Sequence, residues 1–112
     1  SLFRELFSLL MTQIKLTTEH IKFLKGKAHH LDPVLILGDK GVTDSFIKEA
    51  KNALSHHELI KIKLAGRDRV ERESITDEIV TALNATLVQK IGAVIILFRR
   101  NHEAPKILFN FK

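Results

Sequence analysis

The sequence predicts a single α/β domain, with helices packed around a four-stranded mixed sheet. Three observations carry that expectation. Helical apolar spacing and short alternating or β-branched runs follow one another in the order α-β-α-β-α-β-β. The length, 112 residues, is one domain's worth and large enough for a core without staples. No apolar run approaches the ~18 residues that would suggest a membrane span.

The first ten residues, SLFRELFSLL, place Leu2, Phe3, Leu6, Phe7 and Leu10 on one helical face, and Met11 follows directly. With no basic n-region and no small-residue cleavage site, the segment does not read as a signal peptide. Met11 is the expected natural start, with residues 1–10 a non-native or upstream-frame leader and the domain spanning 11–112. The alternative is an amphipathic docking helix.

Thr17 or Thr18 can cap a first helix ending near His30, with Ile21, Leu24, Ala28 and Leu31 as its apolar line. Lys22, Lys25 and His29 form a second stripe at spacings of three and four. Pro33 to Leu37 has the content of a buried strand, and Thr43 reads as the N-cap of a helix over Asp44–His57. That helix buries Phe46, Ile47, Ala50 and Leu54, and keeps Lys48, Lys51 and Ser55 outside. Leu59–Leu64 alternates, with Ile60, Ile62 and Leu64 on one face and Lys61 and Lys63 on a solvated or ligand-facing side. A loop over Ala65–Arg69 leads to a third helix, whose buried side is Ile75, Ile79, Ala82 and Leu83. Its exposed side is acidic: Glu71, Glu73, Asp77 and Glu78. Thr86–Ile91 and Ala93–Arg99 read as a hairpin turning near Gly92, and Ile107–Phe109 as a short edge strand.

The chemistry centres on Gly38-Asp39-Lys40-Gly41, between the first strand and the Thr43 cap. Glycines three apart allow a tight turn and close approach of a ligand to the backbone. A strand, a glycine turn and a helix N-terminus together aim N–H groups at one point, an arrangement suited to phosphate. Gly-x-x-Gly is equally compatible with a plain strand-to-helix turn. If the first two strands pair in parallel, a right-handed crossover brings this turn beside Arg67–Arg69, at the edge where open α/β sheets bind ligands. The formal charge of +5 suits a polyanionic partner. No cysteine is present, which excludes disulfides, thiol catalysis and thiolate metal sites and fits a reducing compartment.

Several of these stretches carry a resemblance. Phe23 to Val34 (FLKGKAHHLDPV), Leu37 to Thr43 (LGDKGVT) and His56 to Lys63 (HHELIKIK) resemble the CRM domain, as do Ile91-Gly92 and Leu97-Phe98-Arg99. The match runs over Thr17–Arg99 and is nearest to the small stand-alone bacterial YhbY-like members. The resemblance implies an RNA-binding domain with a fold similar to the C-terminal domain of bacterial translation initiation factor three. It also implies association with the large-subunit ribosomal RNA precursor in pre-ribosomal particles, a cytoplasmic role in ribosome assembly; plant relatives assist intron splicing. The family's glycine loop, compared with that of KH domains, maps onto Gly38, Asp39, Lys40 and Gly41. Asp39 is repulsive beside a phosphate, and is expected to turn away or help cap the second helix. Lys22, Lys25, His29, Lys48, Arg67, Arg69 and Arg99 complete the expected RNA-binding set. A protein-binding adaptor using the same edge is the alternative.

Other chemistry finds little footing. His29-His30 and His56-His57 are adjacent pairs whose side chains diverge by about 100° on a helix, so neither pair makes a metal site. His20 and His102 stand apart in the sequence, and His57 falls in the apolar arc of the second helix, where a structural role is expected. No nucleophile motif, Walker loop or dinucleotide fingerprint is present, so no enzyme activity, cofactor or small-molecule substrate is expected, nor a membrane partner. Without Trp or Tyr, and with Phe23 and Phe98 expected in the core, the sheet does not read as an aromatic stacking platform.

Overall fold

A computed structural model describes Leu2 and residues 17–101, which contain three main helices and four strands. The leader expected over residues 1–10 (Leu2 apart), the start at Met11, His102 and the strand at Ile107–Phe109 lie outside the described residues.

The order is α1 (Thr18–Ala28), β1 (Leu35–Leu37), α2 (Asp44–His57), β2 (Leu59–Leu64), α3 (Arg69–Leu83), β3 (Thr86–Ile91) and β4 (Val94–Phe98). The sheet runs β1-β2-β4-β3. β1 and β2 are parallel, while β2–β4 and β3–β4 are antiparallel, so the sheet is mixed. The expected α/β class and the parallel first pair are both observed.

Polar side chains start each helix. Thr17 accepts from the His20 N–H at 3.1 Å while His20 Nδ1 accepts from the Thr17 N–H at 3.3 Å, a reciprocal capping box. Thr43 Oγ1 accepts from the Phe46 N–H, and Asp68 Oδ1 from the Glu71 N–H.

Alternation then divides the core into two layers. Ile60, Ile62 and Leu64 of β2, with Ile95 and Leu97 of β4, face Phe46, Ala50 and Leu54 of α2 and Ile79 and Leu83 of α3. On the opposite sheet face, Leu59, Val88, Ile96 and Phe98 meet Leu24 and Ala28 of α1. Burying each such aliphatic side chain contributes about 1.5–3 kcal/mol, so the larger cluster is the main source of stability.

Some expectations are corrected. β1 is shorter than Pro33–Leu37: Pro33 has no N–H to donate, although the Val34 N–H still reaches the Lys61 carbonyl at 3.0 Å. α1 closes at Ala28, leaving Leu31 exposed beyond it. Ala82 is exposed because Ile79 and Leu83, four apart, occupy the inward direction. His57 is exposed rather than structural, since it ends α2 one turn past Leu54 and the next residue, Glu58, takes the buried place. Gly92 and Ala93 form the hairpin turn, so β4 starts at Val94. Phe98 is buried and Phe23 half-buried against the α1-side core, as expected. No helix among the described residues is long and apolar enough to cross a membrane.

Candidate nucleic-acid interface

β1 ends at Leu37, and the chain turns at once. The Gly41 N–H donates to the Gly38 carbonyl at 3.2 Å, closing a four-residue turn with Asp39 and Lys40 exposed at its tip. Gly41 has φ +76°, a conformation that a Cβ disfavours. The chain enters α2 through Thr43. That cap is a neutral hydroxyl, and Asp39 takes no part in it.

The second loop lies against the first. The Arg67 guanidinium donates to the carbonyls of Gly38, Leu37 (3.4 Å) and Ala65 (2.9 Å), tying the end of β1 to the end of β2. Arg72 in turn donates to the Arg67 carbonyl at 2.8 Å. A third turn joins this edge, because the Leu64 N–H donates to the Ala93 carbonyl of the β3–β4 hairpin. The juxtaposition expected from parallel pairing is thus present, and Arg67 is its clasp. Its donors are engaged by backbone carbonyls, which makes it a positioning residue for the glycine turn.

The remaining candidates fall into separate groups. Arg69, the first residue of α3, is highly exposed, with Nε 3.5 Å from Glu73 Oε1. Such an exposed pair leaves the arginine available to a stronger anion. Lys48 is exposed one turn into α2. Lys22 and Lys25 on α1, and His29 at its C-cap, are exposed on the layer across the sheet from α2. Arg99 sits at the other end of the sheet: neighbouring Phe98 pairs with Leu59, at the opposite end of β2 from Leu64. Its guanidinium donates to the Leu83 carbonyl at 3.0 Å, closing α3, and to Ser55 Oγ at 3.4 Å. Desolvation there lowers its pKa from the ordinary arginine value. Arg99 is therefore spatially separate from the glycine turn.

Sequence reading missed Arg72, whose role depends on a contact to a backbone carbonyl, and Gly66, which has φ +73° in the second loop. The Ala-Gly pair after an alternating strand was the available signal for the latter.

Comparison with known proteins decides the family. The family model for the CRS1 / YhbY (CRM) domain matches residues 16–99. The chain belongs to the CRM family. A Haemophilus influenzae relative named "RNA-binding protein" is 48% identical over 89 residues, covering 80% of this chain and 90% of its own. A Bacillus subtilis relative, named "Probable RNA-binding protein YqeI", is 35% identical over 92 residues, covering 82% and 96%. The solution structure of SAV1595 from Staphylococcus aureus superposes with a TM-score of 0.68 at 28% identity, covering 78% of this CRM chain and 91% of that one.

Proposed function

We propose that this CRM protein binds RNA without catalysing a reaction, docking the RNA backbone at its glycine-turn edge. Its partner is the large-subunit ribosomal RNA precursor, and its role is to assist assembly of the pre-ribosomal particle in the cytoplasm. One observation carries the docking mechanism: an exposed lysine stands at the tip of a glycine turn leading into the neutrally capped end of α2. Lys40 brings a full cation close in sequence to the positive end of a helix, an arrangement suited to phosphate, with Asp39 and Asp44 as the acidic neighbours a phosphate must avoid. Arg67 supports it by holding the turn against the second loop, so that little ordering remains to be done on binding. The RNA-binding names of the relatives support RNA as the partner, and the large-subunit precursor is what the resemblance to the CRM family implies.

Crosslinking in cells, followed by sequencing of the attached RNA, tests the partner. Enrichment of one region of large-subunit precursor is expected, and a diffuse spread over messenger RNAs would remove the assembly role. Lys40→Gln tests the mechanism. Losing one phosphate contact should reduce the slope of log affinity against log salt by about 0.7–0.9. The melting temperature should not move, because Lys40 is exposed and outside the core. A folded Lys40→Gln protein with wild-type affinity and slope would rule this contact out.

A further inference from the structure

Strand pairing places Ile36 of β1 beside Lys63 of β2, Lys63 beside Val94 of β4, and Val94 beside Ile91 of β3. Paired residues project from the same side of a sheet, so these four form one row across all the strands. The row lies on the α1 side, since Lys63 alternates with the inward-facing Ile62 and Leu64. α1 covers only the other part of that side, where Leu24 and Ala28 meet Leu59, Ile96 and Phe98. Among the described residues the two ends of the row are exposed, Ile36 by 64% and Ile91 by 54%; Lys63 is exposed as well and Val94 half-buried, and Val34, just before β1, adds a further 47%-exposed apolar side chain. Three strand spacings make the row about 14 Å long.

We propose that this row receives unpaired bases of the RNA whose backbone is held at the glycine turn; the inference rests on the RNA reading above and specifies its ligand as single-stranded. Position is the first reason. Ile36 precedes Gly38 by two residues, so a strand with a phosphate at the turn passes its next bases over the row. Charge is the second. The four strands contain Lys61, Lys63 and Lys90 and no carboxylate, and the first two lysines share this side. Chemistry is the third. A duplex stacks its bases inward and offers phosphates and 2′-hydroxyls, which isoleucine cannot bind, whereas splayed bases present apolar faces. A protein partner is the weaker fit, because four partly exposed side chains fall well short of the roughly 800 Å² per partner of a stable protein interface.

The double variant Ile36→Ser, Ile91→Ser tests this, with an unstructured RNA oligonucleotide and a perfect RNA duplex of equal length as probes. Wild-type protein should prefer the single strand. The variant should bind that strand about tenfold more weakly, with an unchanged salt slope, because apolar contacts release no counterions. Its duplex binding should stay as in wild type and it should remain folded with a somewhat lower melting temperature, since serine loses the part-buried apolar contact and strand preference of Ile36 and Ile91. If the folded variant binds single strands like wild type while Lys40→Gln still weakens binding, the row plays no part and the docking reading stands. If wild-type protein binds neither probe nor precursor RNA, the RNA reading itself fails. A protein that self-associates in sedimentation, and loses this in the variant with RNA affinity intact, would identify the row as a contact between copies and overturn the proposal.

Discussion

At the scale of single residues, the two glycines of the turn are not equivalent. Gly41 has φ +76° and so has a conformational reason to be glycine. Gly38 has no positive φ, and a Cβ built there meets no atom within 4 Å. Nothing in the fold therefore requires glycine at 38, whereas close approach of an RNA backbone would. Gly41→Ala should destabilise by about 1 kcal/mol through strain. Gly38→Ala should leave stability unchanged or raise it by up to about 1 kcal/mol by restricting the unfolded chain. It should nonetheless weaken RNA binding. Thermal melts and RNA titrations of both variants separate the two roles, and unchanged RNA affinity in Gly38→Ala would show that no backbone approaches there.

At the scale of elements, the junction between α2 and β2 is held by a glutamate. Glu58 is fully buried at φ +61°, in a conformation uncommon for a non-glycine residue. Its two carboxylate oxygens each lie 3.1 Å from Arg100 Nη1, and the Asn101 N–H donates to Oε2 at 2.7 Å. Its carbonyl accepts from the Arg99 N–H at 2.9 Å. Arg100 also lies over the Phe98 ring, and Asn101 donates to the Ser55 carbonyl. The carboxylate thus latches the chain after β4 to the end of α2. Glu58→Gly separates the latch from the turn. A residue serving only as a helix stop would be improved by glycine, by about 1 kcal/mol. A buried ion-pair partner should instead be missed by about 3 kcal/mol, because Arg100 keeps a partly buried charge. Urea unfolding gives the sign, and net destabilisation is the expected result.

At the scale of the whole molecule, the two sides of the sheet differ in charge. α3 turns Glu71, Glu73, Asp77 and Glu78 to solvent on one side. On the other, α1 exposes Lys22 and Lys25, and the sheet exposes Lys63. RNA crossing the row from Ile36 to Ile91, as proposed, would lie on the same side of the sheet as α1. The double variant Lys22→Gln, Lys25→Gln should therefore lower the salt slope by about 1.4–1.8 without altering the melting temperature. Asp77→Lys, on the acidic side, should change the slope little. Effects of equal size and opposite sign in a salt titration would mean that RNA is attracted by net charge alone, with no preferred face.

Much of this architecture was legible in the chain because its causes are local. The alternation of Leu59–Leu64, the apolar spacing of α2 and the Thr43 cap depend on residues within a few positions of one another, so α2 and β2 have the bounds expected of them. The parallel pairing, and with it the meeting of the glycine turn and the Arg67 loop, followed from element order and crossover handedness. Tertiary structure alone decided what individual side chains do once distant segments meet. Arg67 reaches carbonyls 29 and 30 positions away, and Glu58 is reached by groups 42 and 43 positions on. In sequence, an arginine that clasps a loop, one that closes a helix and one left in solvent are the same residue. Only the packing of distant segments removes water from some charged groups and leaves others to it, and this separates Arg67 and Arg99 from Lys40 and uncovers the row from Ile36 to Ile91.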